Sequence, residues 1–202
     1  MAILNNKYAT FLALGDSYTI GESIAEKDRW PVQLVSALRS KGFPLEYPRI
    51  IAKTGWTTGE LDAAITKANI ESTFDYVSLS IGVNNQYRGY HLADFRMEFE
   101  SLLSKAIGFA DNKPENVIVV SIPDWGVTPF ASDRKRDIIA EEIDAFNCVK
   151  KEMTVLKGAN FINITGISRK IENDNSLVAN DKLHYASGMY SLWVDEIIKT
   201  CF

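Results

Sequence analysis

The sequence predicts an α/β fold, a three-layer α/β/α sandwich built on a five-stranded parallel sheet. Five short apolar runs, rich in β-branched and aromatic residues and flanked by turn residues, read as buried strands. Longer segments with apolar residues at helical spacing lie between them. The two kinds of segment alternate, and right-handed crossovers then leave only a few doubly wound strand orders.

Taken in order, the first run is Tyr8–Leu14, which meets a turn at Gly15. A helix is expected over Trp30–Ser40, a second strand over Tyr47–Ala52 and a helix over Gly59–Ala68. The third strand, Tyr76–Ile81, runs into a Gly-Val-Asn-Asn turn and is followed by a helix over Leu92–Phe109. Val117–Ile122 is the fourth strand. The segment Ala131–Asp144 reads as a flap or as the first turns of a long helix, and the helix over Asp133–Leu156 is the preferred reading. Phe161–Ile164 and a closing helix over Gly188–Lys199 complete the pattern. No repeat or Pro/Gly-rich linker divides it, so residues 1–202 are expected to form a single domain.

Bulk properties narrow the partners. With 46% hydrophobic and 24% charged residues the chain can bury a sizeable core. A net charge of −4 and a pI near 5.3, with scattered Lys and Arg, disfavour nucleic acid and fit a small-molecule substrate. Cys148 and Cys201 stand in no metal-binding spacing, so neither a metal nor a disulfide framework is expected. No apolar stretch approaches the ~18 residues of a membrane span. Met1 to Tyr8 carries no leader pattern, which predicts a cytoplasmic location for the chain as it stands.

Reactive groups in such sheets gather at the carboxyl ends of the strands. Gly15-Asp16-Ser17-Tyr18 falls at the first of these ends. There Ser17 can be a nucleophile, or Asp16 and Ser17 can simply cap the next helix. A serine hydroxyl needs a base, most often histidine, and the chain has two. His91 opens a helix. His184, in Asp181-Lys182-Leu183-His184, has a carboxylate three residues earlier that can hold one ring nitrogen while the other faces Ser17. After the third strand, Gly82-Val83-Asn84-Asn85 offers an asparagine amide to a developing oxyanion or is a plain polar turn. After the second, Gly55 offers an unhindered N–H, with Thr57 or Thr58 as an N-cap.

These four elements, in this order and spanning Gly15 to His184, resemble the SGNH/GDSL hydrolase family. The resemblance implies a flavodoxin-like SGNH hydrolase fold and a serine ester hydrolase acting through an acyl-enzyme. It makes Ser17 the nucleophile, His184 the base and Asp181 its orienting carboxylate. The Ser17 and Gly55 backbone N–H groups and the Asn84 amide would form the oxyanion hole, with no cofactor and no metal. Where the family has Gly-x-Asn-Asp, this chain has Asn85 in the last place, a change expected to act on loop packing or substrate preference.

Asp16, Trp56, Asn85 and Trp125 are candidates to line the substrate cleft, with Tyr87 and Tyr90 more readily assigned to packing. Small or short-acyl carboxylic esters are the expected substrates, with carbohydrate acetylesterase, thioesterase and lysophospholipase as variants. A binding module without turnover would lack reason to keep Ser17, Asn84, Asp181 and His184 together. A flavodoxin-like nucleotide binder would need a phosphate loop that the chain does not have.

Overall fold

The computed structural model describes residues 8–202, apart from the side chains of residues 172 and 173. The stretch read above for a leader lies outside them as far as Lys7, as does that part of the span 1–202. In chain order the elements are β1 (Phe11–Gly15), α1 (Ser17–Ile20), α2 (Trp30–Ser40), β2 (Arg49–Ala52), α3 (Thr58–Ala68), β3 (Tyr76–Ser80) and α4 (Val83–Tyr87). They continue with α5 (Leu92–Phe109), β4 (Val117–Val120), α6 (Arg136–Leu156), β5 (Asn160–Ile162), α7 (Thr165–Ser168) and α8 (Ser187–Cys201).

The five strands pair in parallel in the order β2-β1-β3-β4-β5. The chain steps one way from β1 to β2 and the other way for the rest. Right-handed crossovers therefore put α2 on one face and α3, α5 and α6 on the other. The contacts agree: α2 packs on α8, while α3 meets α5 and α5 meets α6. The order reverses at β1, so a crevice opens beyond the carboxyl ends of β1 and β3, where ligands bind in open α/β sheets.

The observed strands are shorter than the apolar runs that predict them. Ala9 makes only an isolated bridge to Leu45 before β1 begins, and Pro48, which has no N–H for a ladder, sits just outside β2. The long helix starts at Arg136 rather than Asp133, because Pro129–Ala131 form a separate 3-10 turn ahead of it. The Ala131–Asp144 segment is thus a tight turn and then helix.

β1 is buried along its whole length, and Trp30 and Trp193 are fully enclosed beside it. A lysine is buried in this interior as well. Lys150 occupies an apolar-face position of α6, with no exposed surface. Its Nζ donates to the Ile81 carbonyl (2.8 Å) and the Val120 carbonyl (2.7 Å), where β3 and β4 diverge. Burial pulls its pKa down to about 7, opposed by the Asp16 carboxylate. The ammonium thereby satisfies two strand-end carbonyls that the ladder has released.

Candidate active site

The turn after β1 leaves no choice at Gly15. A Cβ there would lie 2.4 Å from the Ser80 carbonyl oxygen and 2.1 Å from Thr19 Oγ1, so the ends of β1 and β3 meet only through a glycine. Asp16 then caps α1, its carboxylate accepting from the Tyr18 N–H at 3.1 Å. Burial pushes the Asp16 pKa up to about 7, against that hydrogen bond and the Lys150 charge. The capping role expected for this motif is real and falls to Asp16, which leaves Ser17 as the first helical residue. Its hydroxyl has no hydrogen-bond partner among the described residues and faces a cleft of about 200 Å³.

Gly55 and Asn84 reach the same cleft from the next two strand ends. The Trp56 N–H closes a turn onto the Lys53 carbonyl, and Gly55 sits in it with φ +84°, a left-handed conformation that favours glycine. Arg88 Nη2 donates to the Gly55 carbonyl at 2.6 Å and fixes the peptide. Among the described residues neither the Gly55 nor the Ser17 backbone N–H donates elsewhere. Asn84 lies in α4, and its Nδ2 donates to the Trp56 carbonyl at 2.8 Å, which ties the amide to the Gly55 turn and leaves its second N–H.

The last loop carries the histidine. His184 is 7% exposed, and its Nδ1 lies 2.7 Å from Asp181 Oδ2. Asp181 Oδ1 accepts from the backbone N–H groups of Leu183 and His184, each at 2.9 Å, so the carboxylate braces its own loop. The Tyr18 ring lies against the imidazole with centroids 5.4 Å apart. A further group, absent from the expectations above, is Ser23. Its hydroxyl donates to Asp181 Oδ2 at 2.5 Å, the oxygen that also meets the histidine. Partial burial pushes the Asp181 pKa up. The Ser23 hydroxyl, the two backbone N–H groups and the imidazole outweigh it and bring the value down to about 2. Ser23 holds φ +65°, and the neighbouring Glu22 carboxylate accepts from the Thr54 hydroxyl beside Gly55. This dipeptide spans from the glycine turn to the histidine loop.

Of the residues expected to line the cleft, Trp125 does so. Tyr87, assigned above to packing, does as well, with Tyr18, Thr54, Val83, Phe130 and Leu183. Asp16, Trp56 and Asn85 do not. Asp16 is turned inward as the cap, and Trp56 packs its ring on the core and offers only its carbonyl to Asn84. Asn85 has no exposed surface. Its Oδ1 accepts from the Thr58 N–H (3.1 Å) and its Nδ2 donates to the Thr58 hydroxyl (2.6 Å), so it joins α4 to the start of α3. Tyr90 and His91 line a different hollow, toward α6. Thr57 is the N-cap of α3, in a capping box with Glu60.

The doubly wound sheet, with a buried serine at its switch point and a carboxylate-held histidine in the same cleft, has the SGNH/GDSL hydrolase fold. The chain belongs to the GDSL-like Lipase/Acylhydrolase family, whose model matches residues 13–191. Among solved structures it is similar to TesA (TM-score 0.74, 17% identity, 95% of this chain and 97% of that one). It is also similar to the acetylxylan esterase Axe2 from Geobacillus stearothermophilus (0.73, 15% identity, 96% and 94% covered). A lipase/acylhydrolase from Enterococcus faecalis is a third (0.70, 20% identity, 95% and 94% covered). No curated protein sequence matches the chain. No helix among the described residues is long and apolar enough to cross a membrane.

Proposed function

We propose that this protein is a serine ester hydrolase that cleaves small or short-acyl carboxylic esters through an acyl-enzyme on Ser17. The observation that carries the reading is the meeting of Ser17, Gly55, Asn84 and His184 in one cleft, with Asp181 2.7 Å from His184 Nδ1.

In this scheme Asp181 holds Nδ1–H, so Nε2 is the free acceptor. Nε2 takes the Ser17 proton as Oγ attacks the ester carbonyl. The Ser17 and Gly55 N–H groups and the Asn84 amide receive the negative charge that develops on the carbonyl oxygen. His184 returns the proton to the departing alkoxide. Water then attacks the acyl-enzyme in a second round, which releases the acid and restores Ser17. A Ser–His hydrogen bond that is open without substrate commonly tightens in the substrate complex.

No Asp, Glu, Lys or Arg side chain lines the cleft among the described residues, which fits a neutral ester. Its apolar side, Val83, Tyr87, Trp125, Phe130 and Leu183, suits a short acyl or aryl group. The likeness to an acetylxylan esterase is consistent with acetyl esters among the substrates. The test is hydrolysis of p-nitrophenyl acetate by the wild type and by Ser17→Ala. The variant is expected to fold, with its rate reduced to the level without enzyme. An unchanged rate removes Ser17 from the mechanism.

A further inference from the structure

Trp125 and Tyr87 line two hollows at once. On one side they border the cleft of about 200 Å³ that holds Ser17 and His184. On the other they border a hollow of about 300 Å³ whose remaining walls include Gln86, Ile139, Glu142 and the basic Arg134 and Lys135. The two rings meet edge to face with centroids 5.3 Å apart, and Phe130 sets its ring against the indole at 6.0 Å.

The indole is held in place. Trp125 Nε1 donates to Gln86 Oε1 at 2.8 Å, and Gln86 Nε2 donates to Glu142 Oε2 on α6 at 2.7 Å. Trp125 and Gln86 are both almost completely buried. The backbone under the ring is a 3-10 turn, Trp125–Val127, capped by Asp124, whose carboxylate also pairs with Arg169 at 2.8 Å. A substrate that pushed the ring aside would leave its N–H and the Gln86 carbonyl unpaired in a dry place, which buried polar groups resist.

We infer that Trp125, pinned by Gln86 and flanked by Tyr87, is the end wall of the cleft, limits the length of the ester's apolar arm and makes the enzyme selective for short chains. The inference deepens the ester hydrolase reading and rests on it. Each methylene that fits the cleft favours binding by about fourfold. The gain stops where the chain meets the wall. Truncating the wall joins the cleft to the second hollow, so the break in the length profile moves to longer chains.

The experiment measures kcat/KM of the full chain on p-nitrophenyl esters from acetate to dodecanoate, and on acetates of alcohols from methanol to octanol. Wild type is expected to fall off within the first few carbons of one series. Trp125→Ala should raise the octanoate-to-acetate or octyl-to-methyl ratio by about sixteenfold, the worth of two methylenes. The series that responds tells whether the wall meets the acyl or the alcohol arm, and either response supports the inference. Should Trp125→Ala not fold, Tyr87→Ala truncates the other half of the wall at a ring already half exposed, and the same shift is expected. Turnover with an unchanged length profile in the folded wall variants overturns the wall and leaves the hydrolase reading intact. Absence of turnover of every ester by the wild type overturns both.

Discussion

The polar side of the cleft hangs from three successive strand ends, with Ser17 after β1, Gly55 after β2 and Asn84 in the short helix after β3. The aromatic side is assembled from the end of α4 and two 3-10 turns, which bring Tyr87, Trp125 and Phe130 together. On the polar side the backbone dictates residue type: Gly15 because another strand's carbonyl fills the place of its Cβ, Gly55 because its φ is left-handed. On the aromatic side volume and ring contacts set most of the requirement, and among the described residues only Trp125, whose Nε1–H donates to Gln86, is tied to a polar partner there. The first side can be expected to do the chemistry and the second to choose what enters, so substitutions on the two should move different kinetic quantities.

The largest effect separates the two histidines. His184→Ala is expected to lower kcat by a factor on the order of 10⁶, as when a triad member is removed from an enzyme whose residues act as a unit. His91→Ala, in another hollow, should leave ester hydrolysis unchanged. Equal losses in the two variants, measured under saturating p-nitrophenyl acetate, would remove the basis for choosing between them.

Asn84→Ala comes next, with a fall of roughly 10²–10³ in kcat and little change in KM if its amide meets the oxyanion only in the transition state. A rise in KM alone would move Asn84 from the chemical side of the cleft to the binding side.

Ser23→Ala should cost least, up to about tenfold in kcat, because it removes one charge-assisted hydrogen bond from Asp181. It carries a signature in acid as well. Asp181 is held at about 2, below its ordinary 3.8, so the stability it lends the fold is present above pH 3.8 and fades as pH falls toward 2. Without the Ser23 donor that depression is smaller. The variant's melting temperature should therefore lie below wild type near neutrality, with the gap closing as the pH approaches 2. A gap constant with pH would mean that Ser23 acts through its backbone conformation alone.

The same contrast explains what was legible in the sequence. Strand-end glycines, the capping aspartate and the Asp-x-x-His spacing are local, and each leaves a mark in a few consecutive residues. The sheet with its alternation of elements was legible for the same reason, because hydrophobic period is local. Ser23 was not, since its bond to Asp181 crosses more than 150 residues, and a serine in a polar loop carries no mark of it. Asn85 and Trp56 look like cleft residues in the sequence but lie outside the cleft lining, because adjacency to Asn84 and Gly55 does not say which way a side chain turns. At the start of α4 successive side chains diverge, so Asn84 faces the cleft while Asn85 points to α3. Lys150 repeats that lesson from the other side: on an apolar helix face it looks like an error, and only the splayed ends of β3 and β4 give it partners.

The central claim is that Ser17 is activated by its neighbours, and covalent labelling tests it most directly. A fluorophosphonate should add one phosphonyl group to the wild-type chain, located on Ser17 by peptide mass spectrometry, and labelling should vanish in Ser17→Ala and fade in His184→Ala. A wild-type chain that stays unlabelled, or one labelled equally in Ser17→Ala, would contradict the account.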